Sequence, residues 1–217
     1  MSSRRLVLGV LAAGLGLACD PRGVSLGTEE LCVADSQLVT AELGSDEQVS
    51  TCARIGGNQL SNPDFELPIV TCQNGDFCQF PAADTEGWQT TSESQVIEIW
   101  HDGYRGVPAS EGSQFVELDA TSRDTLWQEL ALPPDQLMYW SFAHRGRNGV
   151  ESVQLRIGPP DATVSQGVFP SPADAWSEYS GLYRVGPAEP VTRLELVSRS
   201  GLAEGNLVDN VVFAPVE

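Results

Sequence analysis

From Met138 to His144 the chain alternates strictly: Met138, Trp140, Phe142 and His144 fall on one side, and Tyr139, Ser141 and Ala143 on the other. A period of two predicts a strand with one face buried. Val153, Leu155 and Ile157 alternate in the same way with Gln154 and Arg156, and Leu194 and Leu196 with Arg193, Glu195 and Val197. Further strands are predicted over 96–100, 114–118, 125–130, 176–185 and 207–213. Pro133-Pro134, Gly158-Pro159-Pro160 and Gly186-Pro187 lie between these runs, where a missing N–H breaks no ladder. No segment keeps a 3.6-residue period long enough to make a helix, and no internal repeat is found. Short alternating runs punctuated by Gly, Pro, Asn and Asp predict an all-β fold, a two-sheet antiparallel sandwich.

The pattern is different before residue 58. Arg4 and Arg5 precede a short apolar run from Leu6 to Leu17 that ends in small residues and Cys19, the layout of an export signal over 1–18. The run is too short to span a bilayer, which needs about 20 apolar residues. Leu15-Gly16-Leu17-Ala18-Cys19 resembles a lipobox, with Gly16 where Leu or Val is usual. The alternatives are lipidation of Cys19 and an ordinary cut near Ala18. Residues 19–57, rich in Gly, Ser and acids, read as a tether, and 58–217 as the sandwich. The expected location is the bacterial cell envelope, lipid-anchored or secreted, with the membrane engaged only through that anchor.

Cysteine parity fits an oxidising compartment, since setting Cys19 aside leaves Cys32, Cys52, Cys72 and Cys78. Sequence proximity favours Cys32–Cys52 and Cys72–Cys78, although four cysteines allow three connectivities. Loop entropy assigns about 3 kcal/mol to the longer closure and about 2 to the shorter. No zinc-finger spacing occurs, and His101 and His144 lie far from either pair.

The 217 residues carry a formal charge of −18, or −20 without Arg4 and Arg5, and all twelve basic residues are Arg. Such a chain has no basic patch with which to displace phosphate counterions, which excludes nucleic acid as a partner. The absence of Lys also excludes Schiff-base and P-loop chemistry.

Four groups of residues carry candidate chemistry. Adjacent first and last strands would bring Glu66 and Asp209 together, a pair suited to a hard cation such as calcium; turn capping by Asn and Asp is the plainer alternative. The loop from Glu98 through Trp100 and His101 to Tyr104, Arg105 and Gly106 combines aromatic, Arg and acidic groups, as sugar recognition requires; Trp100 could equally be a core residue. Glu117 and Asp119 share a strand face near Glu98, so a glycoside hydrolase is one alternative, though acids are abundant here. Arg145 and Arg147 follow His144 as anion or glycan contacts, or as partners for nearby acids. No Ser-His-Asp arrangement or G-x-S-x-G elbow is present.

An ordered series of motifs carries a family resemblance. It comprises Asn62-x-Asp64-Phe65-Glu66, Gly87-Trp88, Ile97-Glu98-Ile99-Trp100, Gly106-Val107-Pro108-Ala109, Gly112 to Asp119, and Gly205 to Val211. Over 58–215 the chain resembles the galactose-binding-like jelly-roll domains of plant cell-wall and bacterial secreted proteins. These are similar to carbohydrate-binding modules of families four, nine and twenty-two. The resemblance implies a jelly roll with no catalysis of its own and a structural calcium at positions matched by Glu66 and Asp209. It also implies ligand-side roles for Glu98, Trp100 and Arg147. The chain departs from the pattern in the Cys72–Cys78 insertion and at Ala143, where an acid is more usual. With Tyr104 and Arg145 added, these residues form the expected glycan site of a non-enzymatic module. A structural lipoprotein with an envelope protein partner is the main alternative, and a hydrolase acting through Glu98, Glu117 or Asp119 the third.

Overall fold

The computed structural model describes residues 37–42, 48–199 and 205–217, with side chains from residue 53 onward. The strands are β1 (Gln37–Glu42), β2 (Gln48–Ala53), β3 (Phe77–Pro81), β4 (Gln89–Thr90), β5 (Val96–His101), β6 (Gln114–Glu117) and β7 (Thr125–Leu130). They continue with β8 (Leu137–Arg145), β9 (Glu151–Gly158), β10 (Val164–Ser171), β11 (Ser177–Arg184), β12 (Thr192–Ser198) and β13 (Leu207–Pro215). Two antiparallel sheets form a sandwich. One has six strands in the order β11-β8-β13-β6-β5-β3, the other five in the order β10-β9-β12-β7-β4.

The alternation read from the sequence sets the layers. Met138, Trp140 and Phe142 of β8, with Ile97 and Ile99 of β5, face Leu126, Val153, Leu155, Leu194 and Leu196 of the opposite sheet in one buried cluster. The motif at 62–66 is part of this packing. Phe65 stacks on Trp88 with ring centroids 4.9 Å apart, and the Trp88 indole N–H donates to the Asn62 carbonyl at 2.8 Å. His144 is fully buried and pins three segments. Its ring lies 2.8 Å from Ser171 Oγ on one side and 2.8 Å from Asn206 Oδ1 on the other. The Asn206 amide nitrogen already donates to Ser198, so Oδ1 must accept from Nε2–H, and Nδ1 accepts from Ser171.

Several elements differ from the expectation, among them the short strands β3 and β4, which the alternation did not mark. Part of the expected tether forms a hairpin, with β1 pairing β2. The sandwich itself begins a few residues early: Ile55 bridges Val216, and Gly56 and Gln59 donate to the Pro215 and Phe213 carbonyls. Asn58 fastens this seam, its amide reaching the Val211 carbonyl and the Phe213 N–H. Strand β10 went unread because Gly167 and Pro170 interrupt it. As an edge strand it tolerates both, and its register shifts between Ser165 and Gly167. Cys72 and Cys78 are disulfide-bonded at the entry to β3; the Cys32–Cys52 pairing and Cys19 lie outside the described residues.

Candidate functional site

If Met138, Trp140 and Phe142 face the core, then Tyr139, Ser141, Ala143 and Arg145 line the opposite, outward face of the six-stranded sheet. Strand register extends this face. Gln79, Glu98, Glu117, Leu207 and Arg145 form one cross-strand row, and Phe77, Trp100 and Phe115 sit beside it. On the far side Glu178 pairs with Ala143 and Ser180 with Ser141. Of the expected residues, Glu98, Trp100 and Arg145 are therefore brought to one sheet face.

Half of that face is closed. Trp100, Val107, Phe115 and Leu207 make a second buried cluster, with Phe77, Tyr104, Ala109 and Trp176 packed against it. Trp100 is 1% exposed. Tyr104 meets its ring edge-on at 4.7 Å, and the Arg147 guanidinium lies 5.0 Å from the ring centroid. The expectation that Trp100 stacks on a sugar is corrected here. The segment between β5 and β6 folds back over the ring, braced by Ala109 N–H to Asp102 and by the Trp176 indole N–H to the Pro108 carbonyl.

Under this cover the polar groups satisfy one another. Glu98 accepts from the Trp100 indole N–H and from Gln79, both at 2.7 Å. Glu117 accepts from Arg147 at 2.6 Å and from Gly205 N–H at 2.9 Å. Burial pushes the Glu117 carboxyl up to about 8, its hydrogen bond to Glu98 adds to the rise, and Arg147 opposes it. The rise favours the protonated form of Glu117, which can then donate to Glu98 while Arg147 faces it. Of the acids in the hydrolase alternative, Glu98 and Glu117 are enclosed, and buried Asp119 accepts from Ser198 Oγ at 2.7 Å. Arg145 is 9% exposed, and its Nε finds no acceptor.

The other half is open. A cavity of about 240 Å³ is lined by Tyr139, Ser141, Ala143, Glu178, Ser180 and Asn210, with Phe142 and Tyr179 beneath. The register of β13 shifts between Asp209 and Val212, and Asn210 takes a left-handed conformation (φ 48°) that Asn tolerates. The bulge leaves Asn210 lining the groove. Sequence reasoning missed Tyr139, Ser141, Glu178 and Ser180. The outward half of the β8 alternation was the signal that could have found them.

Glu66 and Asp209 also come together, around the segment from Ser110 to Gln114. Asp209 accepts from the N–H groups of Ser110, Glu111 and Asn210, and Glu66 from those of Ser113 and Gln114. Burial pushes Asp209 up to about 7; these donors pull it down and the Glu66 charge adds to the rise. A Cβ on Gly112 would stand 2.2 Å from the Glu66 carboxylate, and its backbone is left-handed (φ +62°), so the site requires glycine. Two converging hard-oxygen donors of like charge suit a hard cation. Among the described residues no third acidic, His or Cys side chain joins them, which would leave other ligands to backbone carbonyls and water.

No protein-family model and no curated protein matches the chain. Solved structures do. One is the CBM22-1–GH10 portion of the Clostridium thermocellum endo-1,4-β-D-xylanase 10B complexed with xylohexaose, at 15% identity and TM-score 0.49, covering 64% of this chain and 28% of that one. Another is a family 61 carbohydrate-binding module in complex with β-1,4-galactotriose, at 17% identity and TM-score 0.47, covering 73% and 98%. A family 4 module matches at 15% identity and TM-score 0.45, covering 72% and 99%. The likeness is one of fold.

Proposed function

We propose that the chain is a non-catalytic glycan-binding module of the bacterial cell envelope that binds polysaccharide or glycoconjugate in the open half of the six-stranded sheet. The observation that carries this reading is the groove itself. It sets a half-buried Tyr139 ring beside one carboxylate, one amide and two hydroxyls, on a rigid strand scaffold. An aromatic face covers the apolar side of a pyranose, and Glu178, Asn210, Ser141 and Ser180 accept and donate to its hydroxyls. The test is retention of the mature chain on a panel of polysaccharides. Tyr139→Ala should weaken the best ligand at least tenfold without lowering the melting temperature, and equal retention would overturn the reading.

Calcium at Glu66 and Asp209 would neutralise two like charges and hold the Ser110–Gln114 segment down. EDTA should then lower the melting temperature, with calcium restoring it; indifference to both excludes a structural cation. Lipidation of Cys19 would place the module at a membrane surface, and Cys19→Ser should move it from the membrane to the soluble fraction. A protein-interaction reading is favoured by one feature: Leu67 and Ile69 flank Pro68 and are 49% and 66% exposed. Leu67→Ser with Ile69→Ser should abolish capture of an envelope partner if that reading holds.

A further inference from the structure

Arg145 is a charged group that the fold neither pairs nor leaves to solvent. Strand β8 ends on it, and the β8 alternation sets it on the outward face two positions beyond Ala143, a step of about 7 Å. Ala143 lines the groove, while Leu207, paired with Arg145 across the ladder, belongs to the buried cluster of the closed half. Arg145 therefore stands at the border of the two halves, beyond one end of the groove. It is only 9% exposed, and its guanidinium makes no hydrogen bond, ion pair or ring contact among the described residues. The acids around it are already served. Glu117 is held by Arg147, Asp209 by the N–H groups of Ser110, Glu111 and Asn210, and Glu151 by those of Arg147 and Asn206. Glu178, exposed on the other side of Ala143, forms no ion pair with Arg145, and Ala143 itself offers no acceptor.

A guanidinium taken out of water without a counter-charge is costly, so this position favours a ligand that brings an anion. The Nε is sealed, which leaves the two Nη groups at the tip to meet the ligand end-on. Such a pair of donors matches a planar carboxylate, bonded through both oxygens. A sulfate or phosphate keeps further charged oxygens, which these nearly closed surroundings would strip of water. Within the groove reading, on which this inference rests, we propose that the glycan is acidic and that Arg145 holds the carboxylate of a uronic acid residue. Tyr139 and Arg145 are six positions apart on one face, about 20 Å, so they meet different residues of one oligosaccharide lying along β8. Glu178, between them, takes sugar hydroxyls. The chain's overall charge repels an acidic glycan from a distance, but physiological salt screens that repulsion beyond about 8 Å, and a nearly buried contact is screened far less.

The test is isothermal titration calorimetry of the mature chain with oligomers of galacturonate, glucuronate and mannuronate, each beside its methyl ester. Neutral galacto- and xylo-oligosaccharides and a sulfated galactan oligomer complete the panel. At least one acid is expected to bind about tenfold or more tightly than its own ester. Arg145→Met, which keeps the apolar stem and removes the charge, should abolish that preference. Because the preference is a ratio measured on one variant, a general loss of stability does not imitate it. Ala143→Asp gives Arg145 an internal partner and should weaken the acid about tenfold more than Ala143→Asn, which has the same size without the charge. The inference is overturned if no acid is preferred to its ester, if the preference survives Arg145→Met, if Ala143→Asp and Ala143→Asn act alike, or if the sulfated oligomer binds as tightly as the acid. Neutral oligomers that need Tyr139, with no preference for an acid, would keep the groove reading and overturn this one. Silence toward every oligosaccharide overturns both.

Discussion

The outward face of the six-stranded sheet is one surface divided into two unlike halves. Across β3, β5 and β6 it is filled by Phe77, Trp100 and Phe115 and roofed by the segment that follows β5. Across β13, β8 and β11 it carries Tyr139, Ser141, Ser180 and Asn210 and stays open. The residues that look most like ligand chemistry, a Trp flanked by Glu and Arg, are in the closed half. What decides is the length of the neighbouring loop. A long connection can fold back and bury an aromatic, and where no loop reaches, small hydroxylated residues remain accessible.

The sharpest way to break this contrast is Trp100→Ala. In the closed half it should cost about 3–5 kcal/mol of stability, as large-to-small core changes do. A urea unfolding curve showing less than about 1 kcal/mol would mean that the cover is loose and the half can open. Arg147→Ala comes next, at about 3 kcal/mol, because it leaves the Glu98–Glu117 pair buried without its cation. Adding Glu117→Gln should recover part of that loss in the same assay.

In the open half the balance reverses. Tyr139→Ala should change stability by about 1 kcal/mol or less while weakening glycan binding at least tenfold, which is about 1.4 kcal/mol. A pH effect is spread over several units. Asp209 (about 7) and Glu117 (about 8) bind protons more tightly folded than unfolded. Their contribution is complete below the ordinary carboxylate range and is lost as pH rises through 7 and 8. His144, pushed down to about 4 by burial, works the other way, losing stability as pH falls below its ordinary value of 6.5. Two carboxyls outweigh one imidazole, so in EDTA stability should rise from pH 8 to pH 5, each group contributing a slope of about 1.4 kcal/mol per pH unit at most, read as a rising melting temperature. The steepest change should fall near neutrality, and a flat profile would remove the buried-acid account of both halves.

How much of this was legible depends on the kind of information each residue carries. Alternation is local, so β8, β9, β12 and their core faces could be read directly, and Gln114 to Leu118 nearly so. The weak strand β10 depends on its place at a sheet edge, which no local pattern records. The pairing of Glu66 with Asp209 was within reach because it follows from the first and last segments lying side by side. The burial of Trp100 was not, since it depends on where a loop twelve positions long comes to rest and on Trp176, far along the chain, bonding to Pro108.

The seam between residues 54–59 and 213–217 has a further consequence. Glu217 donates to the Arg54 carbonyl and Gly56 to that of Pro215, so entrance and exit run antiparallel, a strand spacing apart. Anything joined to either end leaves from the same corner, and the domain could be spliced into a surface turn of a host protein without stretching it. The same seam is also a zipper. Pulling the two ends apart would open these bonds one at a time, starting at Glu217, whereas a load passed from the groove to residue 54 alone would be borne by the whole seam in shear.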